Sequence, residues 1–272
     1  MNGPFLLLAH SLKRVRTLVL TMGILLAGFQ LILIAVAKSI HRSGGFAQLS
    51  AMLPSFARDL IGPSLTSFMS FAGFVCLGYF HLAVMGTLVA LSIALATMPA
   101  SEIETGFIDL ILSRPLARHW IITRMIVVMI LSIAVLLALM MLGTWIGLEI
   151  LAPNNAGWPS VSLILSLAFN LGLLMLCWSG VAMAIGSQSR RRSVAGALAG
   201  LLALTAFLLD YVGRMWQPAE SIAWLSPFRY YSPFELVMGN PLPSKNLLVL
   251  GGIAAAGFVA AYVLFSRRDI SH

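Results

Sequence analysis

Few residues in this chain have the chemistry to act, and they fall in three places. His81 is an ionisable ring inside a long apolar run. A group of that kind within a membrane lines a pore or carries a proton, or else is a packed, hydrogen-bonded structural side chain. The second place is a charged island, Ser101 to Arg118, in which Glu102, Glu104 and Asp109 are followed by Arg114 and Arg118. The third is the run Arg190, Arg191 and Arg192. None of these spells a reaction. His10, His41, His119 and His272 are scattered without metal-ligand spacing, and Cys76 and Cys177 lie far apart in apolar runs, where cysteine serves as a small hydrophobe. The chain has no P-loop, no nucleophile elbow and no zinc-protease motif. We therefore expect no catalytic residue, no metal site, no cofactor in this chain and no enzyme activity of its own.

What must position these groups is read from composition. Hydrophobic residues make up 60% and charged residues 10% of the 272, where a soluble domain carries about 25% charge. The mean hydropathy of +0.96 is that of an integral membrane protein. Crossing a hydrocarbon core takes about twenty helical residues, and six runs suffice: 18–37, 65–97, 120–148, 161–187, 194–212 and 246–265. They lack the period-two alternation of barrel strands. The expected fold is an all-α polytopic membrane protein, one domain over 1–272, with a connecting loop at 98–119. The second run is too long for one perpendicular crossing and should tilt, kink or protrude.

The basic residues divide unevenly between the two sets of loops, 11 (including Lys13, Arg114, Arg124, Arg190 and Arg267) against 6. By the positive-inside rule the richer side is cytoplasmic and holds both termini. The net charge of +8 is then a matter of topology, not of nucleic-acid binding. Ala35-Val36-Ala37 resembles a signal cleavage site, but the preceding apolar run is long for a signal and is read as a span. Ahead of it, Phe5, Leu8, Ala9 and Leu12 share one helical face, which suggests a short N-terminal helix at the interface.

Within the island, Ser101 and Glu104 have capping-box spacing. Ile103, Phe107, Leu110 and Ile111 then recur on one face, the acidic residues suit a helix start, and Pro115 ends the segment. A short amphipathic helix is expected, with Arg114, Arg118 and His119 meeting headgroups.

Glu102, Glu104, Gly106, Asp109, Leu112, Ser113, Pro115 and Arg118 resemble the first cytoplasmic loop of ABC-2 type transporter permeases, approximately E-x-E-x-G-T-[IL]-x-x-L-L-S-x-P-[IV]-S-R. Phe107 and Ala117 depart mildly from it. The closing Phe265-Ser266-Arg267-Arg268-Asp269 and the loop Leu225-Ser226-Pro227-Phe228-Arg229-Tyr230-Tyr231-Ser232-Pro233 are similar to further family segments. The resemblance implies a permease subunit of an ATP-binding cassette exporter in the bacterial inner membrane, paired with a second permease chain, most simply a copy of itself. Separate ATPase subunits would bind Mg-ATP. The island would be the coupling helix, with Glu102, Glu104 and Asp109 as charged contacts or orienting groups, Phe107 and Leu110 as apolar anchors, and Gly106, Ser113, Arg114, Pro115 and Arg118 completing the motif. Arg190, Arg191 and Arg192 would either touch the ATPase a second time or anchor topology on anionic membrane lipids. An alternative is a membrane component that passes ATPase-driven force to a periplasmic accessory protein without moving a solute.

Two further expectations concern packing. Gly196 and Gly200 form a GxxxG read as a close helix contact. The aromatic and proline-rich loop after the fifth run, with Asp210 and Arg214 one turn apart before it, should dip into the outer interface.

Overall fold

The computed structural model describes residues 3–46, 48, 69–106 and 119–267, with side chains from residue 7 onward in the first helix. Among them the regular structure is helical, without strands. In chain order the helices are α1 (Gly3–Arg42), α2 (Phe71–Phe80), α3 (Leu82–Ala96), α4 (Met98–Glu104), α5 (His119–Leu151), α6 (Val161–Gln188), α7 (Arg192–Gly213), α8 (Gln217–Ala223), α9 (Pro233–Val237) and α10 (Ser244–Ser266), with a 3-10 turn at Pro227–Tyr230. Six helical stretches are long and apolar enough to cross a membrane: α1, α2 to α4 taken together, α5, α6, α7 and α10. Their outward faces carry large exposed apolar side chains such as Ile24, Leu142, Leu201 and Leu248, the surface a lipid solvent accepts and water does not.

The longest helix differs from expectation. The N-terminal segment is not a separate interfacial helix: α1 runs unbroken for 40 residues. Pro4 stands in its first turn, where proline is tolerated, and no later proline interrupts the ladder. Ser11, Val15 and Val19 form its buried stripe, Leu8 and Leu12 are half-buried beside them, and Lys13 and Arg14 face outward.

The bundle is built from two parallel pairs of helices that are not neighbours in sequence: α1 lies along α5, and α6 along α10. Glycine sets the first register. A Cβ on Gly143 would stand 2.5 Å from the Cα of Ala27, and one on Gly147 would meet Ile34 at 2.6 Å. The four-residue step from Gly143 to Gly147 lets the two helices interlock in the way small residues permit in lipid. In the second pair Gly180 and Gly257 bring the backbones together, and Gln188 Nε2 donates to the carbonyl of Leu264. Gly196 and Gly200, expected at a close contact, have nothing within 4 Å of where a Cβ would be. The contact-forming GxxxG is Gly143 to Gly147.

The second apolar run bends at His81. His81 has φ −58° and ψ 130°, outside helical geometry, and separates α2 from α3. Its Nδ1 accepts from the N–H of Ala83 at 3.3 Å, so the ring supplies the acceptor that the broken ladder withdraws. The carbonyl of Tyr79, which would have served Ala83 in a continuous helix, instead accepts from the Tyr231 hydroxyl at 2.9 Å. Tyr79 in turn shares a 2.9 Å hydrogen bond with Thr144 of α5.

Candidate functional site

The island begins where α3 ends. Thr97 closes α3 and opens α4, its hydroxyl donating to the carbonyl of Ile93 at 3.0 Å, and Pro99 fixes the first turn of α4. The helix therefore starts at Met98, three residues before the expected cap. Ser101 lies inside it, and its carbonyl accepts from both the backbone N–H and the hydroxyl of Thr105. No side chain caps the α4 N-terminus. The chain then turns at Gly106, whose φ of +68° is left-handed geometry that glycine adopts without a Cβ clash. Phe107, Asp109, Leu110, Ser113, Arg114, Pro115 and Arg118 lie outside the described residues.

The two described carboxylates of the island both turn toward the bundle. Glu102 is 2% exposed, and its Oε2 accepts from Arg124 Nη2 in the second turn of α5. Arg124, counted from sequence among the loop cations, is 5% exposed and lies inside the protein. Glu104 is exposed, and its Oε2 accepts from the backbone N–H of Arg192 at 2.9 Å. Arg192 opens α7, whose own N-cap residue, Arg191, makes no side-chain cap. Glu104 thus satisfies one orphan donor of α7 and places a negative charge at the positive end of that helix. Arg192 closes the link by donating from Nη2 to the carbonyl of Ala94 in α3 at 3.1 Å.

One seven-residue helix therefore joins three others. The peptide chain ties it to α3, an ion pair ties it to α5, and a cap ties it to α7. Beside this junction Thr123 of α5 shares a 2.6 Å hydrogen bond with Tyr262 of α10, and Gly186 of α6 lies 3.5 Å in virtual Cβ distance from Thr97. α6 and α10 thus border the junction, and Arg14 and His10 of α1 act on Glu102 electrostatically. Arg190 and Arg191 are exposed, next to the junction in sequence.

At the opposite end of the bundle the aromatic loop re-enters the protein. Ser226 Oγ donates to the carbonyl of Ala206 at 2.7 Å. Ala206 lies seven residues before the end of α7, a depth of about 10 Å at the helical rise. Phe228 packs between Trp178 and Phe207, and Phe234 against Phe80. Asp210 and Arg214 form the expected pair, 2.9 Å apart. Trp216 and Trp224 remain exposed at the rim. Burial pushes the Tyr231 phenol above its ordinary range, so it stays protonated and donates.

His81 stands between these two ends, half-exposed and edge-on to Phe29 with ring centroids 5.4 Å apart. The structure gives it a backbone partner at the helix break. Among the described residues no three of His, Cys, Asp and Glu come together.

Fold and site together define a helical protein with six stretches able to cross a membrane, a three-way polar junction at one end and a re-entrant aromatic element at the other. No family model matches the chain, and no curated protein matches it.

Proposed function

We propose that this chain is the permease subunit of an ABC-2 type ATP-binding cassette exporter, working in the bacterial inner membrane with both termini in the cytoplasm. Separate ATPase subunits, carrying Mg-ATP, dock on the segment 98–119, and a second permease chain completes the pore.

The observation that supports this most directly is the double tether of α4. Glu102 binds α5 and Glu104 binds α7, immediately before the stretch whose residues resemble the family's coupling loop. A push on that stretch reaches three spans at once, because the helix that follows α3 is joined to α5 and α7 by charge-assisted bonds. ATP biases such an equilibrium only if the docked ATPase interacts differently with the two states of the permease. In this reading Glu102 and Glu104 orient the lever, and the docking contacts fall to Phe107, Asp109 and Leu110.

Purification of the chain with its co-expressed ATPase tests the reading. Phe107→Glu with Leu110→Glu is expected to lose the ATPase subunit and its stimulation while the permease still folds. Retained assembly and retained stimulation would overturn it.

A further inference from the structure

A groove with a volume of about 510 Å³ runs between α3 and α7. Gly86, Ala90 and Ala94 line one wall, Gly196 and Gly200 the other. A Cβ on Gly86, Gly196 or Gly200 would meet nothing within 4 Å, so the groove is deep at the three positions where side chains are missing. Leu204, 55% exposed, marks the side on which it opens laterally. Its two ends differ. One is lined by Phe207 and Phe228, packed edge to face with centroids 5.5 Å apart. The other lies at Ala94 and Gly196, where Arg192 donates to the Ala94 carbonyl and Arg190 and Arg191 stand exposed one turn away.

We propose that this groove holds one acyl chain of an anionic phospholipid, with its phosphate on the arginines at the open end. Length favours this occupant. From Leu82 to Ala94 the wall of α3 is about 18 Å long at the helical rise, close to the roughly 15 Å of hydrocarbon in one leaflet. A chain entering beside a headgroup ends within the groove, whereas a transmembrane helix from a second copy would have to pass the phenyl rings. Charge favours it too. The Arg192 guanidinium spends one of its five donors on Ala94, and among the described residues the only acidic group bonded to these three arginines is Glu104, which takes the Arg192 backbone N–H. Clustered arginines beside an apolar slot bind a phosphate diester at the membrane surface. The proposal needs the spans to lie in a bilayer. It does not depend on an ATPase, and its test contains none.

The full chain is reconstituted in vesicles containing phosphatidylglycerol with a diazirine at the middle of one acyl chain, and in matched vesicles whose labelled lipid is phosphatidylcholine. After irradiation, label is expected on peptides 82–94 and 196–207, more from phosphatidylglycerol than from phosphatidylcholine. Gly196→Leu with Gly200→Leu fills the groove and abolishes that label, folding being checked by thermal melting. Arg190→Gln with Arg191→Gln, which leaves the groove intact, lowers the preference for phosphatidylglycerol about fivefold for each charge removed. If the leucine variant does not fold, the headgroup preference and the arginine variant decide. Label spread evenly over all outward-facing helices, or equal labelling by both lipids, would overturn the proposal. So would disulfide-linked dimers of a Gly200→Cys variant that exclude the label, since a second copy would then occupy the slot.

Discussion

Tyr231 donates its phenol hydrogen to the carbonyl oxygen of Tyr79, 2.9 Å away and 152 positions earlier in the chain. The bond fastens the re-entrant loop to a carbonyl that the break at His81 leaves without its helical partner, so the loop and the break stabilise each other.

Tyr231→Phe removes the donor and leaves that carbonyl buried and unsatisfied. A loss of about 1–3 kcal/mol is expected, read as a lower midpoint of unfolding in detergent. His81→Asn keeps a side-chain acceptor for Ala83 and should retain most of the stability that His81→Leu loses. Equal effects of the two substitutions would mean that capping is not what His81 contributes.

The pair Glu102 and Arg124 predicts a strong non-additivity. Either Glu102→Ala or Arg124→Met alone strands a buried charge, at a cost of about 3–5 kcal/mol. Glu102→Leu together with Arg124→Met removes both charges and should recover most of that loss. The Arg124 Nε and Nη1 atoms have no hydrogen-bond partner among the described residues, so the pair is incompletely satisfied to begin with. A complete double-mutant cycle in thermal unfolding separates the coupling from the single effects. Under the proposed function, the double variant should be stable and yet poorly coupled to ATP hydrolysis in the partner subunit.

Glu104→Ala should destabilise by about 0.5–2 kcal/mol, as loss of a helix cap does. The local signature is faster hydrogen exchange at Arg192 to Ala195, with the far end of α7 unchanged. Exchange that rises evenly along α7 would point to global loosening instead.

Two glycine substitutions should have opposite signs. Gly143→Leu drives a side chain into the backbone of α1 and is expected to cost about 3 kcal/mol or more. Gly200→Ala meets open space and replaces a poor helix former, so it should be neutral or gain about 0.5–1 kcal/mol. Melting curves of both in the same detergent decide it.

The apolar spans were readable because length and hydropathy alone set them: the runs 161–187 and 246–265 became Val161–Gln188 and Ser244–Ser266. The bend in the second run was expected from its length, but not its place, since His81 breaks the helix without a proline or glycine beside it. Ser101 and Glu104 have the spacing of a cap, and Pro99 sets the start earlier. Glu104 does cap a helix, but one that begins 88 residues later, which no local pattern announces. Arg124 looked like a loop cation because its partner is on another element. Gly196–Gly200 and Gly143–Gly147 are the same motif in sequence, and only the register of α1 against α5 tells them apart.

The parallel pairing of α1 with α5 and of α6 with α10 bears on how the chain is made. Neither mate is the next helix to leave the ribosome. α1 has to wait, already inserted, until the residues of α5 are translated, with Gln30 meeting Gly78 of α2 in the interval. α6 waits likewise for α10. A chain stopped before Ser244 would leave α6 packed on α3, α5 and α7 but without α10 along its Gly180 face, so it would expose a glycine-lined seam to quality control.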